Sequence, residues 1–167
     1  VTKRNMAGAM PKYDRRVYLQ RDETVAAFRD FLNGSSVCFV LTGKSGVGKT
    51  NFVLSLIDEL AADASSNHKA EVCLLMYNGA NLDPGVSLSE RIGRDISARV
   101  KWMTHYEQSD SGIWSYVDDL ARAPSDRFVV IVDAINENRL DPRGVMIRID
   151  ELVKQCRWPW LKVVVTS

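Results

Sequence analysis

Gly43-Lys44-Ser45-Gly46-Val47-Gly48-Lys49-Thr50 is the stretch on which the reading of this chain turns. It fits G-x-x-x-x-G-K-[ST], the spacing of a phosphate-binding loop. Glycines there let successive backbone N–H groups turn inward around phosphate oxygens without a side chain in the way. The Lys49 ammonium has the reach for β- and γ-phosphates, and the Thr50 hydroxyl is a ligand type suited to Mg²⁺. Such a loop also opens a helix, whose free N–H groups and dipole favour an anion. Gly43, Lys44, Ser45, Gly46, Val47, Gly48, Lys49, Thr50 and Asn51 are therefore the candidates for holding ATP or ADP, with Thr50 a candidate metal ligand.

The flanks have the order the loop requires. Residues 36–42 read as a buried strand, and 51–62 as a helix with Phe52, Val53, Leu56, Ile57 and Leu60 on one face. Upstream, 22–32 has helical periodicity through Val25, Phe28, Phe31 and Leu32, closed by Asn33-Gly34. Downstream, 71–77 is a second apolar strand and 78–86 a loop carrying Asn-Gly and Asp-Pro-Gly. Leu88, Ile92, Ile96 and Val100 mark a helix capped by Ser87. An irregular stretch with Trp102 and Tyr106 leads to a helix over 111–123, with Ile113, Trp114, Val117 and Leu120 inward. Residues 128–133 form an apolar strand ending in Asp133, and 136–144 read as polar loop. Met146, Ile149, Leu152, Val153 and Cys156 mark a last helix that Pro159 stops, and 161–165 is the last strand. Short apolar runs alternating with helices predict an α/β fold, a mostly parallel sheet of at least four strands with helices on both faces. The expected layout is a basic extension at 1–12, a linker and helix at 13–34, and a core at 35–167. The stop directly after a buried strand reads as a core truncated on its C-terminal side.

Composition narrows the classes. The 167 residues are enough for one ordinary domain. Lys plus Arg number 22 against 21 Asp plus Glu, so bulk charge makes no case for nucleic acid or an anionic membrane. A small basic cluster of Lys3, Arg4, Lys12, Arg15 and Arg16 reads as a solvated extension. No apolar run approaches the roughly 18 to 20 residues that span a bilayer. Cys38, Cys73 and Cys156 are distant from one another and odd in number, which reads as three buried thiols in a reducing cytoplasm. His68 and His105 have no partner pattern and read as surface or packing residues.

The second half of the site lies at the end of the 128–133 strand. A phosphate-binding loop needs a carboxylate near its Thr to hold Mg²⁺, and in P-loop NTPases an apolar strand ending in Asp supplies it. Asp133 fits that role. Asp133-Ala134-Ile135-Asn136-Glu137 resembles the Walker B region of NACHT-type STAND signal-transduction NTPases, where a small residue follows the first Asp and acidic groups stand three and four positions on. Asn136 departs from that pattern, which usually has Asp there; an amide can orient water but cannot accept its proton. Glu137 matches the second acidic position, making it the candidate base or water-positioner. Leu161-Lys162-Val163-Val164-Val165-Thr166-Ser167 resembles the family's sensor strand, with Thr166 the sensor candidate and Ser167 a weaker one. The segment 18–23 resembles the stretch near adenine, implying nucleotide contact for Arg21, although Gln20 stands where Gly is common. The resemblance spans about residues 17 to 167 and implies a sheet in which the Thr166 strand lies between those of the loop and of Asp133.

What the resemblance implies is an ATP-binding, slowly hydrolysing switch core that self-associates in a longer signalling or defence protein. Other readings compete. A Ras-type GTPase wants D-x-x-G, yet the fourth residue is Asn136, and N-K-x-D is missing, so ATP is favoured over GTP. An AAA+ motor usually has Glu directly after the strand-end Asp, where this chain has Ala134. A P-loop kinase needs a lid and an acceptor site, and neither can be picked out. Asn136 also leaves open a scaffold that holds nucleotide without turning it over.

Overall fold

Arg127–Asp133 shows how this sequence builds its sheet. Every residue from Phe128 to Asp133 is buried, because alternate side chains enter two different cores. A strand covered on both faces has no solvent side, so its apolar run is unbroken. The computed structural model describes residues 22–44, 46–66, 72–98, 110–121 and 125–167. Within them lie helix α1 (Asp22–Asn33), strand β1 (Cys38–Leu41), α2 (Lys49–Ser66), β2 (Val72–Asn78), α3 (Leu88–Ser97), α4 (Asp110–Leu120), β3 (Arg127–Asp133), α5 (Pro142–Gln155) and β4 (Leu161–Thr166). The four strands are parallel, in the order β1-β4-β3-β2. Strand β4 thus lies between the strands that lead to the loop and to Asp133, as the resemblance implied. This is a P-loop NTPase-like α/β fold.

Two helical layers cover the sheet. On one face, Val25, Phe28, Phe31 and Leu32 of α1 and Phe52, Val53, Leu54, Leu56 and Ile57 of α2 pack on Leu74, Val129, Ile131 and Val164. The rings of Phe28, Phe31 and Phe39 meet at centroid distances of 5.4 to 5.9 Å, which fixes α1 over β1. On the other face, α3, α4 and α5 cover Leu75, Tyr77, Val130, Val132, Val163 and Val165. Trp114, Trp158 and Trp160 stack there, with Trp114 and Trp160 donating to Ser89 Oγ (2.6 Å) and Asp118 Oδ1 (2.5 Å).

Several expectations need correction. Cys73 is exposed and Cys38 and Cys156 are only half-buried, so the thiols are not a buried set. Strand β2 has a neighbour on one side only among the described residues, which leaves Cys73 at a margin. The first strand is four residues long rather than seven, and Val40 on it is 53% exposed. Residues 136–144 are not all loop: 135–137 form a 3-10 turn, and α5 begins at Pro142, whose missing N–H costs nothing at a helix start. Its inward stripe is Val145, Ile149 and Leu152, while Met146 is 40% exposed. Ile113 and Leu120 fall among side chains the structure does not describe; Val100, Trp102, Tyr106, His68, His105 and residues 1–21 lie outside the described residues. Among the described residues no helix is long and apolar enough to cross a membrane.

Candidate functional site

The phosphate-loop motif runs from the end of β1 into the first turn of α2, and two of its glycines are there for their backbone. Gly46 has φ 80° and Gly48 φ 88°, the left-handed region that L side chains enter at a cost. A Cβ built on either would meet nothing within 4 Å, so the requirement is conformational rather than steric. Gly43 N–H donates to Ser167 O (3.3 Å) and Ser167 N–H to Leu41 O (3.1 Å), carrying the β1–β4 pairing up to the loop. The Lys49 ammonium curls over the loop and donates to Gly43 O (2.6 Å) and Lys44 O (3.0 Å). Thr50 and Asn51 follow on the first turn of α2, where helical N–H groups have no intrahelical acceptor. Ser45 and Arg21 lie outside the described residues.

Thr50 and Asp133, 83 residues apart, meet: Thr50 Oγ1 donates to Asp133 Oδ2 at 2.8 Å. The sheet makes this contact. Odd-numbered residues of β3 face the α2 side, so Asp133 at the strand end points where α2 begins. Its other oxygen, Oδ1, accepts from Thr166 Oγ1 at 2.5 Å, and Thr166 Oγ1 accepts from Ala134 N–H at 2.9 Å. Asp133 is 6% exposed and Thr166 wholly buried. The structure therefore places Thr166 behind Asp133 as a buttress, its one hydroxyl proton committed to the carboxylate.

The chain leaves β3 through Ala134 at φ 59°, then closes a 3-10 turn over Ile135–Glu137. Asn136 and Glu137 are both exposed on that turn, and neither side chain has a hydrogen bond or ion pair among the described residues. The next residue, Asn138, escaped the sequence reading. It is 5% exposed and fully hydrogen-bonded, yet inside a polar run nothing marks one Asn as buried.

Lys162 also escaped it, although a lysine inside an apolar strand was a legible signal. It is 1% exposed, donates to Gly34 O and Ser36 O (2.7 Å each) and lies 5.2 Å from the centre of the Phe31 ring. Burial, with the Arg127 guanidinium nearby, lowers its pKa from the usual lysine range; the Cys156 thiol pulls weakly the other way. Arg127 Nε donates to Leu32 O (2.8 Å), so two cations meet the carbonyls at and just beyond the C-terminal end of α1. This cluster sits at the opposite end of the strands from Asp133 and supports the fold rather than the site.

The donor set fits a hard divalent cation carried with a polyphosphate. Thr50 and Asp133 offer only oxygen, the ligand type Mg²⁺ takes through one or two protein groups. Lys49 and the glycine-shaped turn supply the N–H donors that phosphate oxygens accept.

No family model matches the chain, and no curated protein matches it either. Among solved structures it is similar to that of C. elegans PCH-2, at 17% sequence identity and a TM-score of 0.43, over 87% of this chain and 36% of that one. This chain therefore spans little more than a third of the length of that protein's chain, and a likeness of this degree bears on no residue's role.

Proposed function

We propose that this chain binds ATP or ADP with Mg²⁺ and hydrolyses ATP slowly, as the nucleotide-switch core of a STAND/NACHT-like protein that self-associates. The observation that carries the nucleotide-binding part of this reading is the 2.8 Å bond from Thr50 Oγ1 to Asp133 Oδ2, which joins the loop's hydroxyl to a buried strand-end carboxylate; the switch assignment rests on the resemblance of residues 133–137 and 161–167. A loop hydroxyl and a strand-end carboxylate are the pair with which P-loop NTPases hold Mg²⁺ beside phosphate. Mg²⁺ bound with nucleotide supplies neutralisation of the phosphate charge. Lys49 holds phosphate oxygens with the donors that now meet Gly43 O and Lys44 O, while Thr166 keeps Asp133 aimed at Thr50. Glu137 positions the attacking water; Asn136, an amide, can help orient it but cannot take its proton. One carboxylate doing this without a partner acid is the reason for slow turnover, below the typical ~10 s⁻¹ of enzymes.

The test is thermal and kinetic. ADP–Mg²⁺ at about 100 times its Kd stabilises by ~2.7 kcal/mol, a melting shift of roughly 5 to 10 °C for a domain of this size. Lys49→Ala should abolish most of that shift, and ADP should outcompete GDP. In single-turnover assays Glu137→Gln should slow hydrolysis and leave affinity within a few-fold. Equal shifts in wild type and Lys49→Ala would refute nucleotide binding at the loop; rapid hydrolysis indifferent to Glu137→Gln would refute the assigned base.

A further inference from the structure

We infer that Asn138 is a positioning residue for hydrolysis, the joint that locks the turn bearing Glu137 onto the turn after β2. The inference rests on the hydrolytic reading above. Strands β2 and β3 end level, Asn78 opposite Asp133, so the two turns leave the sheet side by side. Asn138 Nδ2 donates across the gap to Gly79 O (2.8 Å) and Leu82 O (2.9 Å). Its Oδ1 accepts from Leu140 N–H and Asp141 N–H (3.0 Å each), the residues that lead into α5. Both donor bonds end on carbonyls and both acceptor bonds come from N–H groups, so a flipped amide would face like against like at all four positions. Every hydrogen-bonding capacity of a 5% exposed side chain is thus spent on tying three segments together.

A second observation, independent of Asn138, shows how close the joint is. Gly79 is buried against the backbone of the β3 turn: a Cβ there would come within 2.8 Å of Ile135 Cα, 2.9 Å of Ile135 N and 3.0 Å of Asp133 O. Only a residue without a side chain lets the two turns meet at that distance. Glu137 itself has no side-chain partner among the described residues, so nothing on its own side chain fixes its direction. Its backbone is held instead, through Glu137 N–H to Ala134 O (3.0 Å) and Asn138 N–H to Ile135 O (3.0 Å). Asn138 closes that turn and anchors it, so the point from which the Glu137 side chain projects is set from outside, by the β2 turn.

Asn138→Ala and Gly79→Ala disturb the joint from its two sides and are tested in the whole chain, each alone and with Glu137→Gln. Misplacing a catalytic group by about 1 Å costs on the order of 100-fold. Single-turnover ATP hydrolysis should fall by about that factor in either variant, with ADP–Mg²⁺ affinity within about threefold of wild type. Adding Asn138→Ala to Glu137→Gln should cost less than about twofold more, because the group it positions is already gone. Amide exchange should rise together at Leu82, Glu137 and Asn138. A merely structural role predicts otherwise: affinity and rate falling in proportion, or full multiplication of the two losses, and either result overturns the proposal. Hydrolysis indifferent to Asn138→Ala overturns the positioning role alone. Wild-type protein that binds ADP–Mg²⁺ yet hydrolyses no ATP overturns the hydrolytic reading as well.

Discussion

Thr166 does at one atom what the site needs from β4. Its hydroxyl donates to Asp133 Oδ1 and accepts from Ala134 N–H, with no exposure to solvent. Thr166→Val keeps the β-branched shape and removes both bonds, leaving a buried carboxylate oxygen and a backbone N–H without partners. The expected cost is about 1 to 3 kcal/mol, read by urea unfolding, together with loss of Mg²⁺-dependent ADP affinity that Thr166→Ser restores. Lys162 yields a pH prediction. Its folded pKa lies below the usual 10.5, through burial first and the Arg127 charge second. Between those two values the unfolded chain holds the extra proton, so stability rises with pH across that window, and below it the cost of the buried charge is carried in full. Burial raises the pKa of Cys38 and Cys156 instead, so those thiols make stability fall as the unfolded thiols ionise above about pH 8.5. Comparing wild type with Lys162→Met largely cancels the thiols. The difference in unfolding free energy should move in favour of wild type as pH approaches about 10.5; a flat difference would mean that the ammonium pays no burial penalty.

At the scale of elements, legibility followed burial on two faces. β3 and β4 were readable because both cores demand apolar side chains, and α1 because Val25, Phe28, Phe31 and Leu32 fall on one stripe. The Thr50–Asp133 pair was readable as chemistry, from a loop pattern and a strand-end acid, before any contact was visible. What stayed hidden depends on neighbours. Val145 and Met146 are equally apolar, and only the seating of α5 on the sheet turns one in and the other out. Asn138 and Gly79 matter through two turns that are 59 residues apart, which no local pattern records. The β3 turn lies between these cases. A small residue at position 134 was visible in the sequence, and its backbone explains it: among the described residues Ala134 is the one non-glycine with positive φ. Left-handed backbone costs an L residue about 1 to 2 kcal/mol, partly offset in a glycine variant by unfolded-chain entropy. Ala134→Gly should therefore raise stability by roughly 0.5 to 1 kcal/mol, and Ala134→Val should lower it, both read from denaturant midpoints. A destabilised glycine variant would show that the Cβ packs usefully there.

At the scale of the whole molecule, the described residues form two cores divided by one sheet, and the site draws on both. Asp133 and Thr166 point to the α1–α2 side, whereas Asn138 ties the same turn to the start of α5 on the other. If the two sides unfold as one cooperative unit, damage to either should be felt across the sheet. Ile131, 2% exposed, belongs to the α1–α2 core, while the stacked Trp114, Trp158 and Trp160 belong to the opposite one. Ile131→Ala should cost about 2 to 5 kcal/mol through lost contacts and a residual cavity. With Trp102, which lies outside the described residues, replaced by Phe in both proteins, tryptophan fluorescence then reports a core that the substitution does not touch, and far-UV circular dichroism reports helices on both faces. Coincident midpoints, shifted equally, are expected for a single transition. Saturating ADP–Mg²⁺ should return both probes together toward the wild-type midpoint, because on the proposed reading the ligand would bind only the folded chain, and a single cooperative unit is stabilised as a whole wherever the ligand sits. A fluorescence midpoint that stays put while the helical signal moves would show two units that unfold separately.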